Sequence, residues 1–265
     1  MIDQSGETEL SAETDERQKR VNEILALLEG KSAQELLFAL GKGAISAIPY
    51  AGGVIAEVVG IIGPDFRLRR LRQFVAELAY DLEQLKEKID SEYVRTEEFA
   101  HVIEKTFRGV AENYQKEKLN ALRAVLLNSC IKTDIDQELK EYLLDITLQL
   151  STLHVRLIRI LRDPQGFYAA EKIRDSRDMA QIGGSVGESL KECLPDVPEG
   201  YVRSVWNDLY NMNVVYLEPR HLGVGIGGKG SKALEGKLTD LGKQLAFFIT
   251  TPLNQVRGPV EGERR

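Results

Sequence analysis

Residues 65–89 read DFRLRRLRQFVAELAYDLEQLKEKI, and their spacing decides the fold class. Leu68, Leu71, Val75, Leu78, Leu82, Leu85 and Ile89 recur in steps of three and four, the a/d seam of helices packed at a shallow angle. Pro64 stands where a first helical turn tolerates proline. The pattern continues downstream. A second seam runs from about Thr96 to Ser129 through Phe99, Ile103, Phe107, Val110, Tyr114, Ala121 and Val125. A third runs from about Asp136 to Arg162 through Leu139, Leu143, Ile146, Leu150, Leu153, Leu157 and Ile160, and Asp163-Pro164 ends it. Three long seams joined by short connections predict a mainly α protein built on an antiparallel helical bundle.

Upstream, residues 1–14 carry Asp3, Glu7, Glu9 and Glu13 with little apolar content, the composition of a disordered segment. An amphipathic helix is expected from Asp15 to Glu29, with Val21, Ile24, Leu25 and Leu28 on one face. Leu36 to Gly63 differs in kind: Lys42 and Glu57 are its only charges, and Pro49 with Gly52-Gly53 should break it into two short helices or a helical hairpin. The bundle with this hairpin (36–63) is expected to occupy residues 15–162.

Residues 163–176 read as a linker. Helical patterns at Arg177 to Leu194 and Glu199 to Met212 then precede Val214-Val215-Tyr216-Leu217, a short β-run. A glycine-rich loop (Leu222 to Gly230), a second short strand at Leu234 to Thr239 and a helix from Asp240 to Ile249 complete residues 177–252. This order predicts a small winged-helix-like α+β domain, and the Leu238 to Gly242 turn resembles the return from the wing in winged-helix regulators. Residues 253–265 are polar and aperiodic, a loose tail.

Composition narrows the function classes. A net charge of -6 argues against bulk electrostatic binding to nucleic acid or to an anionic membrane, an average that a local basic patch could override. Cys130 and Cys193 are the two cysteines, and with no zinc-like spacing they read as free thiols in a reducing compartment. The polar N-terminus has the character of neither a signal nor a transit peptide, so the expected location is cytoplasmic, with peripheral attachment to the inner membrane face as the exception.

No catalytic constellation emerges. Gly223-Val224-Gly225-Ile226-Gly227-Gly228 matches the dinucleotide fingerprint in letters, yet it lies between two short strands and outside any βαβ unit, so a wing loop fits better. Glu98-Phe-Ala-His101 has the Glu-x-x-His spacing of di-iron bundles, but its only repeat, Glu218 to His221, contains Pro219. His154 lacks an acidic residue in register and reads as packing. No serine or cysteine occupies a nucleophile elbow. The expectation is a protein that is not an enzyme and carries no metal or cofactor.

Two regions are candidates for contact with a partner. The charge-free core of the apolar stretch, Gly43 to Ala56, is shorter than the about 20 residues that a spanning helix needs. Lengthening it includes Lys42 and Glu57, at roughly 2.5 to 3.5 kcal/mol each at mid-bilayer. The hairpin is therefore either core or able to leave the core for a membrane, with Ile45, Ile48, Val54 and Ile55 as apolar contacts. Arg67, Arg69, Arg70 and Arg72 follow directly and suit anionic headgroups, at about 1 kcal/mol per cation near the surface. The alternative for this cluster is a solvated helix face paired with Glu77 and Asp81. In the C-terminal region the candidates are Arg203, Lys229 and Lys232 for phosphate, and Trp206 with Tyr210 as anchors for a protein partner or a second copy. Six Lys/Arg against four Asp/Glu over residues 201–252 make a weak nucleic-acid footprint.

The runs Gly43 to Gly63, Asp65 to Leu85, Glu117-Lys118-Leu119-x-Ala121-Leu122-Arg123 and Leu153-His154-x-x-Leu157 to Pro164 resemble a group of bacterial helical-bundle proteins with no assigned activity. Over residues 36–90 the small-residue apolar hairpin ahead of a bundle is similar in style to HeLo-type and other α-helical membrane-active effectors. That likeness implies a latent membrane-binding or membrane-perturbing effector of the defence type, with the C-terminal part as sensor or partner module. The alternative is a scaffold or regulatory protein whose C-terminal domain binds protein or, with less in its favour, DNA.

Overall fold

A computed structural model describes residues 15–23, 65–132, 135–175, 184–225 and 228–253. The hairpin at 36–63, with Ile45, Ile48, Val54 and Ile55, lies outside the described residues, as do residues 1–14. The described chain is mainly helical and divides into two compact units, the second comprising Asp145–Thr250 and the first the remainder.

The first unit is built on α1 (15–23), α2 (Asp65–Leu85), α3 (Glu97–Glu112) and α4 (Lys116–Cys130). The α2 seam is its core: Leu71, Val75, Leu78, Leu82 and Leu85 are each at most 2% exposed. Phe74 meets Phe107 of α3 edge to face, with ring centroids 5.6 Å apart. An aromatic pair in that arrangement adds about 0.5–1.5 kcal/mol beyond its buried area. A 3-10 turn at Lys86–Lys88 stops α2, so Ile89 is extended and bridges Ile131 just past α4. Thr96 caps α3 by accepting from the Phe99 amide. The far end of α3 meets the start of α2, where Arg70 donates to the Asn113 carbonyl. These end contacts make α2 and α4 run one way with α3 opposed.

Two helices expected as continuous are broken. Thr96 to Ser129 divides at Asn113, whose side chain and backbone amides both close the last turn of α3 on the Gly109 carbonyl. Tyr114, expected in the seam, is 76% exposed as a result. Asp136 to Arg162 divides into α5 (Gln137–Gln149) and α6 (Thr152–Arg162) at Leu150-Ser151. Ser151 and His154 there form a reciprocal capping box, which satisfies amides that a helix start leaves unpaired.

The second unit holds α6, α7 (Pro164–Ala170), α8 (Val186–Cys193), α9 (Glu199–Asn211), the single turn α10 (Ser231–Leu234) and α11 (Asp240–Phe248). Pro164 and the Asp163 cap start α7 inside the expected linker. Leu157, Ile158, Ile160, Trp206, Leu209, Leu245 and Phe248 are buried.

The expected α+β character is not found among the described residues. Val214 to Leu217 and Leu234 to Thr239 form no strands, only an isolated antiparallel bridge, Val215 to Leu238. The reason is local. The Val214 and Val215 amides both turn back to the Leu209 carbonyl, and Asn213 adopts φ 56° to let them. Ser231, anchored through its amide and hydroxyl by the Asp175 carboxylate, commits Leu234 to a helical turn instead. Gly242 is required where α11 begins, because a Cβ there would lie 2.1 Å from the Val214 carbonyl oxygen.

Candidate functional site

At one end of the first unit, α2, α3 and α4 leave an open cavity of about 840 Å³. The first turns of α2 supply Phe66, Arg67, Arg69 and Arg70, the α3–α4 break supplies Tyr114, and the first residue of α4 is Lys116. The geometry follows from the antiparallel order, since the start of α2, the end of α3 and the start of α4 share this end. Phe66 is 63% exposed, and Tyr114, on the same lining, projects into solvent.

The charges here are unevenly matched. Among the described residues neither Arg67 nor Arg69 has an ion-pair partner, and both are exposed. Arg70 is half-buried, and burial, followed by the neighbouring Arg67 charge, holds its guanidinium below the usual value. Glu112 and Glu77 are the acidic lining residues. Glu77 is engaged elsewhere, because it and Asp81 grip Arg123 of α4.

Glu77 and Asp81, the alternative partners for the arginine cluster, are engaged by Arg123 and Arg17. Arg123 Nε lies 3.0 Å from Asp81 Oδ2, and Arg17 of α1 donates to Asp81 Oδ1 at 3.0 Å. Arg17 also sits 5.6 Å over the Tyr80 ring, and Val21 of α1 is buried. Asp81 is 1% exposed, and burial outweighs the attraction of Arg17, so its pKa is raised to about 6. Arg72 is half-buried.

The C-terminal candidates do not converge. Trp206 is fully buried, and its indole N–H donates to the Leu217 carbonyl at 2.8 Å, so it is core and not an exposed anchor. Tyr210 is half-buried. Arg203 is exposed but occupied by Glu199 and the Pro219 carbonyl. Lys229 packs against Gly184, and Lys232 is exposed.

Ser151, His154 and Asp208 have the residue types of a hydrolytic triad but not its arrangement. His154 Nδ1 accepts from the Ser151 backbone amide at 3.1 Å, which places the neutral ring's proton on Nε2, 3.5 Å from Asp208. The Ser151 hydroxyl caps α6. Ser151 Oγ also lies 2.7 Å from His154 Nδ1, so serine and aspartate meet the ring nitrogens in the reverse order to a hydrolytic triad, at a helix start joined to α9. His101 is exposed, and among the described residues no cluster of three or more His, Cys, Asp or Glu is placed to hold a metal ion.

Phe66, Tyr114 and Lys116 were not legible as site residues. Tyr114 fits the apolar seam by spacing, and only the helix break turns it outward. Among the described residues no helix is long and apolar enough to cross a membrane. Comparison with protein-family models, curated proteins and solved structures finds no match to this chain.

Proposed function

We propose that this chain is a non-catalytic protein that attaches to an anionic membrane surface through the α2–α3–α4 end of its first unit. The observation that carries this reading is the presence on one cavity lining of exposed aromatic rings, Phe66 and Tyr114, and of the Arg67 and Arg69 guanidinium groups, which have no ion-pair partner among the described residues. Aromatic rings and cations are residue types that an interfacial layer of headgroups and first methylenes accommodates. The low-charge stretch 36–63 precedes this rim directly in sequence, and its insertion would make the protein a latent membrane effector.

Co-flotation with vesicles of phosphatidylcholine and phosphatidylglycerol, with dye release recorded in parallel, tests the proposal. Phe66→Ser with Tyr114→Ser is expected to weaken flotation, and Ala47→Glu to abolish release. Undiminished flotation of a folded Phe66/Tyr114 double variant would remove the rim from the account. Absence of flotation by the folded parent protein would overturn the reading.

The alternative is a scaffold or regulator whose second unit, in a winged-helix-like order, binds protein or DNA. The exposed Lys232 and the isolated bridges Ser185–Gly225 and Val215–Leu238 favour it. The engaged Arg203 and buried Trp206 weigh against it.

A further inference from the structure

We infer that the cavity between α2, α3 and α4 is a binding site for a phosphomonoester dianion with an attached apolar group. This inference rests on the membrane-surface reading for the lipid source of the ligand, but not for the site itself.

Charge carries the first step. Arg67, Arg69, Arg70 and Lys116 line one cavity, against Glu77 and Glu112. Glu77 is held by Arg123, so its charge is already compensated. Arg67 and Arg70 lie one helical turn apart, close enough for one charge to disfavour the other. An anion placed among them removes that repulsion and takes charge-assisted donors from several directions. A phosphodiester brings a single charge and leaves most of the lining cations uncompensated. A monoester, with close to two negative charges near neutral pH, compensates them better.

Shape carries the second step. About 840 Å³ exceeds the need of a bare phosphate and falls in the range of ordinary ligand pockets. Phe74 and Leu119 give the lining apolar surface, and Phe66 with Tyr114 stand exposed at its edge. A ligand with a phosphate head and an apolar stem satisfies both halves. Phosphatidic acid is the membrane source of that chemistry, and a soluble organic monoester is the free source.

The test uses the full-length chain and two probes at constant ionic strength. Glycerol 3-phosphate is titrated by calorimetry, with the singly charged diester dimethyl phosphate as comparison. Flotation compares phosphatidylcholine vesicles doped with phosphatidic acid or, at matched surface charge, with phosphatidylglycerol. Arg67→Gln with Lys116→Gln removes two lining cations, and Arg95→Gln with Lys132→Gln removes two exposed cations outside the lining. Circular dichroism verifies folding. The expected result is a preference for phosphatidic acid that falls roughly tenfold in the cavity variant and little in the control.

Equal flotation with both lipids, weakened alike by both variants, would overturn the site while leaving the membrane reading intact. Glycerol 3-phosphate binding that is lost in the cavity variant, with no flotation, would support the site, assign a soluble ligand and overturn the membrane reading. Absence of binding to either probe would overturn both.

Discussion

Replacing Arg123 by Met should destabilise the first unit by about 3–5 kcal/mol, the cost of removing one partner from a buried ion pair. The guanidinium is 11% exposed and faces Glu77 and Asp81, themselves 23% and 1% exposed. These two carboxylates stand one turn apart on α2, so without Arg123 they become like charges at i,i+4 in a poorly solvated place. Arg17, 36% exposed and paired with Asp81, compensates part of one charge.

The pH dependence has a definite sign. Asp81 titrates near 6 in the folded chain against 3.8 for an ordinary aspartate, so folding takes up a proton between those values. Its contribution to stability is therefore fully present below about pH 4 and is lost as the pH rises through 6, by on the order of 3 kcal/mol. Loss of Arg123 removes a cation that favours the charged form, so the damage should be largest at pH 7 to 8 and smaller near pH 5. Asp81→Asn combined with Arg123→Met should recover part of the loss, with a coupling of about 0.5–3 kcal/mol. Urea unfolding followed by far-ultraviolet circular dichroism at pH 5 and pH 8 measures all four corners of this cycle. A single-variant cost below about 1 kcal/mol, or a double variant no more stable than Arg123→Met, would refute the assignment of this cluster as a buried charge network.

Two further outcomes are expected. Gly242→Ala puts a methyl group against the Val214 carbonyl and should cost about 1–3 kcal/mol, read from urea titration of the fluorescence of Trp206, the sole tryptophan; an unchanged midpoint would contradict the close approach. Burial pushes the thiols of Cys130 and Cys193 up to about 12 and about 11, so a thiol reagent at pH 8 should label neither in the folded chain and both in urea; rapid native labelling would contradict that burial.

Much of the helical class was legible because a repeating seam reports burial along one helix without reference to anything distant. Leu71, Val75, Leu78, Leu82 and Leu85 are core, as their spacing requires. The breaks were not legible. Apolar spacing continues through Asn113–Gln115 and Leu150-Ser151, and the signals that interrupt it are hydrogen bonds: the Asn113 amide on Gly109 and the Ser151–His154 box. Capping residues occur in helix interiors too, so their letters alone do not mark an end.

The same distinction separates the arginine cluster from its neighbours. The basic run 67–72 could be read directly, and so could its nearness to an apolar stretch. Which carboxylates neutralise it could not. Glu77 and Asp81 are near in sequence but point at Arg123 and Arg17, 46 and 64 residues away in the chain for Glu77 and Asp81 respectively. Val214-Val215 had the composition of a strand and became the return from a helix end. Local spacing therefore determined that the chain is helical and which faces are apolar. Tertiary packing alone decided which charges are compensated and which rings are exposed, because both depend on the element that arrives opposite.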